Sequence, residues 1–184
     1  MRATSRWNVV WNVVLTLPVD LGIRGRAALV FGGSRGIGRA IAQRLATEGV
    51  AVTIAARNAE TLARAAGELS AQAGTAVAWV AADIASAAGR GAALAACPAP
   101  DILINNADGP APGDFRDWTR EDWIKALDAM MLGPILMMQA VVDGMAARSF
   151  GRIVNITSRS VKAPQGELGL SNGTRSALVG FVAG

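Results

Sequence analysis

The sequence predicts an α/β fold in which a doubly wound parallel sheet carries helices on both faces. From about residue 26 onward, short apolar runs alternate with amphipathic stretches, a pattern typical of strands joined by helical crossovers. The apolar runs are nearly continuous, as expected of strands that helices cover on both sides. With 184 residues, 52% of them hydrophobic, the chain is long enough to form one domain around a substantial core.

Five strands are predicted from the apolar, β-branched runs, at residues 27–31, 50–55, 76–81, 102–104 and 152–156. Helical periodicity predicts helices at residues 37–48, 59–73, 85–96 and 120–148, and another from residue 170 onward. The last strand would leave an uncovered edge on the sheet, so we expect the last strands of the fold, and C-terminal sequence, to be missing.

The predicted helix 120–148 carries apolar residues at steps of three or four. The stripe consists of Ile124, Leu127, Met131, Ile135, Met138, Val142 and Met145, widened by Met130 and Met137. Such a stripe is usually core or a subunit contact, so a homodimer or homotetramer through this helix is expected. Pro134 should kink the helix or remove one of its hydrogen bonds. Asp117 or Thr119 can cap its start.

Residues 1–19 do not follow the strand–helix pattern. The tetrapeptide WNVV at residues 7–10 is repeated at residues 11–14, and Arg2 and Arg6 precede it. This superficially resembles a signal peptide, but Asn12 interrupts the apolar part, no small-residue cleavage site follows, and the segment is too short to span a bilayer. We therefore expect a non-conforming extension, or upstream translation ahead of a start near residues 19–21. The domain would then comprise residues 20–184, without a membrane role.

Charge and composition narrow the function classes. The formal net charge is +4, but the basic residues are scattered, which argues against a nucleic-acid partner. Cys97 is the only cysteine, so neither a disulfide framework nor a metal cluster is expected, and a small buried residue is the simplest interpretation. A reducing cytoplasm fits this usage. The chain has no tyrosine and no histidine, and so lacks the two commonest general acids.

The most informative motif is a glycine-rich turn between the first strand and the first helix, with the spacing Gly32-x-x-x-Gly36-x-Gly38. Gly32 permits the tight turn, Gly36 lets the backbone approach a pyrophosphate, and Gly38 lets the helix pack close to the strand. Free backbone amides near Ser34 to Ile37, at the helix N-terminus, would face the phosphates. Between a strand and a helix, this motif predicts a Rossmann-type dinucleotide site.

The end of the second predicted strand bears on the choice between NAD and NADP. An acid there would bind the ribose 2′-hydroxyl, but the sequence has Arg57, followed by Asn58, and no acid nearby. Arg35 lies within the glycine loop itself. Two converging guanidinium groups fit a 2′-phosphate, so NADP(H) is expected over NAD(H). The alternative is that both arginines are solvated surface residues.

These motifs resemble those of the short-chain dehydrogenases/reductases, and within that family the 3-oxoacyl-carrier-protein-reductase-like branch. The resemblance covers residues 20–184 and rests on four segments: the glycine loop, Asp83-Ile84, Asn105-Asn106-Ala107, and the run of residues 151–158 that ends at Ser158. It implies that Asp83 and Ile84 lie at the adenine end. It also implies that Asn105, Asn106 and Ala107 line the cofactor and tie strands together, and that Ser158 hydrogen-bonds a substrate carbonyl.

The departures from the family pattern are equally specific. Phe31 stands where the family has threonine, Asp108 replaces a glycine, and Met130 lies where a helix asparagine completes a proton relay. The family's Tyr-x-x-x-Lys motif aligns with Ser171 and Arg175, 13 and 17 residues after Ser158. Serine is shorter and far less acidic than tyrosine, and arginine cannot pass protons at physiological pH.

The resemblance therefore implies an NADP(H)-dependent oxidoreductase of a small carbonyl or alcohol with an atypical catalytic site. Ser158 would orient the carbonyl, Arg175 would hold the nicotinamide ribose, and the proton would come from water held by Ser158 and Ser171, or from Lys162. A solvated loop lysine is the alternative for Lys162, and Ser160 and Asp108 are weaker candidates. Two other interpretations stay open: an NADP(H)-binding protein without turnover, and an incomplete product representing only the nucleotide half.

Overall fold

In the computed structural model, residues 19–184 are described, and the greater part of the predicted N-terminal extension, residues 1–18, lies outside them. The five predicted strands are present: β1 Ala27–Phe31, β2 Ala51–Ala56, β3 Ala78–Ala81, β4 Ile102–Asn105 and β5 Arg152–Asn155. All pair in parallel, in the order β3-β2-β1-β4-β5. The predicted fold class is confirmed, and β5 lies at the edge of this sheet as expected.

Within residues 19–184, six α-helices connect or follow the strands: α1 Gly36–Thr47, α2 Ala59–Ala73, α3 Ala87–Ala96, α4 Arg120–Leu127, α5 Gly133–Ala147 and α6 Gly169–Ala183. A π-helical turn, Asp128–Leu132, joins α4 to α5, and two 3₁₀ turns, Arg159–Val161 and Gly166–Leu168, lie between β5 and α6. Predicted and observed bounds differ by at most two residues for every strand and for the first three helices.

The strand order places a topological switch between β1 and β4. The chain runs outward from β1 through β2 to β3, then returns to the other side of β1 to form β4 and β5. The loops after β1 and β4 therefore leave the sheet in opposite directions and open a crevice at the carboxyl ends of these strands. Leu29 on β1 lies between Thr53 on β2 and Leu103 on β4, which fixes the register across this point.

The core has two layers, one on each face of the sheet. Val30 and Ile54 face one layer with Leu62 and Leu69 of α2, and all four are fully buried. Leu29, Phe31 and Leu103 face the other layer, where Met137 and Met145 of α5 cover them. Successive strand residues thus alternate between two buried faces, which is why the strands are apolar throughout.

The long helix departs from the prediction in which residues it buries. Met130, Ile135, Met137 and Met145 of the predicted stripe are buried. Ile124 and Val142, also in the stripe, are instead 40% and 47% exposed, and Val141, outside it, is buried. The physical reason is the π-helical turn, whose wider hydrogen-bond spacing shifts the helical phase between α4 and α5. The expected irregularity at Pro134 thus takes the form of a π turn immediately before it.

The N-terminus of this helix is fixed by one of the two predicted caps. Thr119 Oγ1 accepts a hydrogen bond from the Asp122 backbone N–H at 3.2 Å, and Asp122 Oδ2 accepts one from the Thr119 N–H at 3.0 Å, forming a capping box. Hydrogen bonds from the hydroxyl and backbone of Thr119 lower the pKa of the Asp122 carboxyl. The negative charge therefore persists at the helix N-terminus, where it is favourable.

One helical segment among the described residues, Arg120–Ala147, is long and apolar enough to cross a bilayer, with a mean hydropathy of 1.4. Met137, Val141 and Met145 on this segment are buried against the sheet. Packing within the domain therefore accounts for part of its apolar composition, since 39% of the apolar window is buried.

Cys97, at the end of α3, is 6% exposed, in line with its interpretation as a small buried residue. Burial raises the pKa of its thiol, assisted by the charge of Asp101 and opposed by a hydrogen bond with Thr53. Because the pKa is higher in the folded protein, the neutral thiol contributes fully to the free energy of unfolding at a pH below the pKa of the unfolded chain, about 8.5. This contribution is lost as the pH rises from that value through the pKa of the folded protein.

We therefore expect the Cys97 thiol to react with a disulfide reagent at pH 8 at least about tenfold more slowly in the native protein than in denaturant, because the thiolate is the reacting species. Absorbance of the released thiol measures both rates. Cys97→Ala, which removes the chain's only cysteine, supplies the baseline. Equal rates in the two conditions would contradict the burial of this thiol.

Candidate functional site

A cleft of about 360 Å³ opens at the carboxyl ends of the strands, over the switch between β1 and β4. It gathers most of the predicted cofactor residues, which come from the four loops that follow β1, β2, β3 and β4. Its lining comprises Phe31, Gly32, Ser34, Arg35, Gly36, Ile37, Ala55, Ala56, Arg57, Ala82, Asp83, Ile84, Asn106, Ala107, Asp108 and Ala129. Of the predicted cofactor residues, only Gly38 and Asn105 lie beneath the lining, where they support it.

The glycine turn has the geometry that its sequence predicts. Gly32 has φ +65°, a left-handed conformation that glycine adopts without strain. A Cβ added at Gly38 would overlap the Gly32 carbonyl oxygen and lie 2.9 Å from Asn106 Nδ2. The close approach of α1 to the turn after β1 therefore depends on the missing side chain at Gly38.

The N-terminus of α1 is open toward the cleft. Arg35 precedes the helix in an extended conformation (φ −156°, ψ 170°), and its side chain makes no capping hydrogen bond to the first turn. Gly36, which begins the helix, has φ +56°, and a Cβ there would meet no protein atom within 4 Å. The first backbone N–H groups thus lack a side-chain acceptor, which is the arrangement that binds anions at helix N-termini.

Asn105 ties the floor of the cleft together. It is 2% exposed, and its Nδ2 donates to Asn155 Oδ1 on β5 at 2.8 Å and to the Pro134 carbonyl on α5 at 3.3 Å. This links β4 to β5 and to the long helix, as the resemblance implies. Asp83, which also lines the cleft, accepts a hydrogen bond from the Ala85 N–H at 3.0 Å, which shapes the loop after β3.

The two predicted phosphate-binding arginines converge, and they do so on a carboxylate. Arg35 Nη2 lies 2.7 Å from Asp108 Oδ2, and Arg57 Nη2 lies 3.5 Å from the same oxygen. The three side chains come from the loops after β1, β2 and β4, and all are more than half exposed. Arg35 and Arg57 thus lie at one end of the cleft with Asp108 between them.

The catalytic candidates of the loop after β5 lie outside this cavity. Ser158 Oγ accepts a hydrogen bond from the Ser160 N–H at 3.2 Å, which leaves the hydroxyl proton of Ser158 available to an acceptor. Lys162 ends the following 3₁₀ turn and is exposed. Ser160 is fully buried, and its hydroxyl has no hydrogen-bond partner among residues 19–184.

Ser171 and Arg175 lie one turn apart on α6, and both are buried, at 7% and 9% exposure. The Arg175 guanidinium donates to the Ile156 carbonyl at 2.6 Å and to the Ala107 carbonyl at 3.1 Å. Burial lowers the pKa of this guanidinium. Arg175 therefore joins α6 to the ends of β4 and β5, and its predicted contact with a nicotinamide ribose stays a prediction.

Met130, which replaces a helix asparagine of the family pattern, lies in the π turn and packs against α6. It is 3% exposed and clusters with Leu170, and Thr174 Oγ1 lies 3.9 Å from its sulfur. A thioether cannot relay protons, so this position serves packing. Phe31, the other apolar replacement, is 2% exposed and belongs to the lining of the cleft.

Sequence reasoning missed the small residues that line the cleft: Ala55, Ala56, Ala82 and Ala129. Ala55, Ala56 and Ala82 lie at the ends of β2 and β3, where small side chains leave room for a flat ligand. Their position at strand ends was a usable signal. Ala129 belongs to the π turn, which the sequence did not predict. Within the described residues, no group of three potential metal ligands occurs.

A parallel sheet with a glycine turn, an open helix N-terminus and a cleft at the switch point defines a Rossmann-type nucleotide-binding protein. The family model described as short chain dehydrogenase matches residues 26–184. The chain therefore belongs to the short-chain dehydrogenase family.

Two curated relatives illustrate the similarity. The uncharacterized oxidoreductase YvaG of Bacillus subtilis is 31% identical over 159 residues, covering 86% of this chain and 60% of the relative. Dehydrogenase/reductase SDR family member 4 of Oryctolagus cuniculus is 35% identical over 164 residues, covering 86% of this chain and 63% of the relative. The chain thus spans less than two thirds of the length of these relatives.

Solved structures give the same picture. L-sorbose reductase from Gluconobacter frateurii, complexed with NADPH and L-sorbose, superposes with a TM-score of 0.84 at 31% identity, covering 89% of this chain and 64% of that one. A metagenomic short-chain oxidoreductase in complex with NADP superposes with a TM-score of 0.79 at 31% identity, covering 88% of this chain and 75% of that one. NAD+-bound xylitol dehydrogenase superposes with a TM-score of 0.77 at 25% identity, covering 86% of this chain and 63% of that one.

Proposed function

We propose that this chain forms the coenzyme-binding part of an NADP(H)-dependent oxidoreductase that interconverts a small carbonyl compound and an alcohol. The observation that carries the proposal is the cleft, which joins an uncapped helix N-terminus to two arginines at one end. Homologous reductases bound to NADPH or NADP support the assignment, although a relative binds NAD+. A 3-oxoacyl-reductase-like specificity is supported by similarity to a structure described as a betaketoacyl-ACP reductase.

The residues present fit a dinucleotide. The amides that begin α1 would hold the pyrophosphate, because they have no side-chain acceptor. Asp83 and Ile84 would contact the adenine, and Asn106 and Ala107 would line the middle of the cleft. Arg35 and Arg57 would bind a 2′-phosphate, since guanidinium groups form charge-assisted hydrogen bonds with phosphate oxygens.

The chemistry proposed for the other half of the site uses the loop after β5. When bound, a nicotinamide coenzyme supplies the hydride that is added to the carbonyl carbon. Ser158 would donate its hydroxyl proton in a hydrogen bond to the carbonyl oxygen, since its Oγ already accepts from Ser160. The proton that completes the alcohol would come from water held by Ser158 and Ser171, because Lys162 is exposed.

A second candidate function is coenzyme binding without turnover, as in a redox-state sensor. The observation that favours it is the engagement of Arg175, whose two terminal nitrogens are taken by the Ile156 and Ala107 carbonyls. A guanidinium engaged in this way is less available to hold the nicotinamide ribose. The two functions differ in one measurable outcome, the oxidation of NADPH in the presence of a panel of ketones, aldehydes and 3-oxoacyl thioesters.

Coenzyme binding is tested by calorimetric titration of the protein with NADPH and with NADH. We expect Arg57→Ala to weaken NADPH about tenfold to hundredfold and NADH less than about threefold, because only the 2′-phosphate loses a charge-assisted contact. Arg44→Ala, which removes an exposed arginine paired with Glu48 on α1, is the matched control and should change neither affinity. Equal losses for both coenzymes would contradict a phosphate role for Arg57.

The remaining expectations about partners stay proposals. Leu132, Leu136 and Val142 lie on the long helix and are 41%, 41% and 47% exposed, which supports a homodimer or homotetramer through this helix. A cytoplasmic location, and the absence of nucleic-acid and membrane partners, are expected on the compositional grounds given above. Sedimentation at several protein concentrations tests the oligomer.

A further inference from the structure

Asp108 carries an inference that deepens the proposed function and rests on it. The residue stands where the family pattern has glycine, so its side chain adds a carboxylate to the rim of the cleft. That carboxylate contacts both Arg35 and Arg57, at 2.7 Å and 3.5 Å, through the same oxygen. It therefore engages the two groups on which the choice of the phosphorylated coenzyme depends.

The position of this contact in the fold matters as much as its chemistry. Arg35 and Arg57 follow β1 and β2, whereas Asp108 follows β4, on the other side of the topological switch. The ion pairs therefore bridge the crevice from one side to the other. In Rossmann-type sites an acid that follows the second strand binds the ribose 2′-hydroxyl. Here the loop after β4 brings an acid to the residue that follows β2.

The geometry points to Asp108 as a specificity-determining residue that lowers the preference for NADP(H) over NAD(H). Its carboxylate competes with a 2′-phosphate for Arg35 and Arg57, and it also repels the phosphate. An unphosphorylated ribose carries no charge and meets neither penalty. The same carboxylate can accept a hydrogen bond from a ribose hydroxyl.

The expected size of the effect follows from exposure. Asp108 and both arginines are more than half exposed, and exposed ion pairs contribute little because water and salt screen them. We therefore expect Asp108→Asn to tighten NADPH binding by about three- to tenfold and to leave NADH binding unchanged or slightly weaker. Asp108→Asn should likewise tighten the binding of 2′,5′-ADP but not that of 5′-AMP. These two probes differ in the 2′-phosphate and contain only the adenosine end of the coenzyme.

Asp114→Asn is the matched control. Asp114 lies in the same loop, pairs with Arg116 at 2.8 Å and changes the net charge by the same amount when replaced. A shift in the NADPH-to-NADH affinity ratio with Asp108→Asn but not with Asp114→Asn supports the inference. An unchanged or lower ratio with Asp108→Asn, or an equal rise with Asp114→Asn, overturns it.

A double replacement identifies the cause. In an Arg35→Ala/Arg57→Ala background, most of the gain from Asp108→Asn should vanish, because no guanidinium is left for which the carboxylate can compete. A gain of full size in that background overturns the competition. If Asp108→Asn binds both coenzymes with the same NADPH-to-NADH affinity ratio as the unaltered protein, only the role of Asp108 is overturned. If the unaltered protein binds neither coenzyme, the proposed function is overturned as well.

Discussion

Gly38→Ala is expected to weaken binding of both NADPH and NADH by at least about tenfold and to lower the free energy of unfolding by about 1–3 kcal/mol. The added methyl group would overlap the Gly32 carbonyl oxygen and lie 2.9 Å from Asn106 Nδ2. Backbone cannot yield as a flexible side chain can, so α1 must move away from the turn after β1. That displacement moves the N–H groups of the first helical turn, which would bind the pyrophosphate in the proposed site.

Calorimetric titration measures the affinities, and urea unfolding followed by circular dichroism measures stability. Gly67→Ala is the matched control: Gly67 lies inside α2, and a Cβ there would meet no atom within 4 Å. It should raise the free energy of unfolding by about 0.5–1 kcal/mol without changing coenzyme affinity, since alanine favours helices more than glycine does. Unchanged coenzyme binding in well-folded Gly38→Ala would contradict the assigned role of this turn.

Arg175→Leu is expected to lower the free energy of unfolding by about 2–4 kcal/mol. The substitution leaves the Ile156 and Ala107 carbonyls without their charge-assisted partners and loosens α6 from the ends of β4 and β5. Part of the loss is offset, because leucine is not penalised for the burial that lowers the pKa of the arginine. The free energy of unfolding of Arg175→Lys should lie between those of the unaltered protein and Arg175→Leu, since an ammonium group lacks the planar fork that reaches both oxygens.

Urea unfolding of the three proteins measures this effect, with Arg44→Ala as the control. Arg44 is 72% exposed and pairs only with Glu48 on its own helix, so its loss should change stability by less than about 0.5 kcal/mol. If Arg175→Leu unfolded at the same urea concentration as the unaltered protein, the two backbone contacts would contribute nothing to the fold.

Local sequence patterns were sufficient for the sheet and for most of the coenzyme cleft. The resemblance implied that Asp83 and Asn106 line the same site as Ser34 of the glycine loop, and all three line one cleft. Parallel strands that end in one direction bring their loops to one edge, which is why residues so far apart in sequence meet there. The glycine spacing predicted the turn at Gly32 and the close packing at Gly38, because both depend on backbone geometry within a few residues.

By itself, the sequence determined the doubly wound fold and the family, since hydrophobic periodicity and short motifs carry that information. Only the tertiary structure decided that the long helix exposes Ile124 and Val142 and buries Val141, because a π turn changes the helical phase between α4 and α5. It also decided that Arg175 binds strand-end carbonyls and that Asp108 pairs with Arg35 and Arg57. Contacts of this kind join side chains up to 73 residues apart, and their partners depend on how the loops pack together.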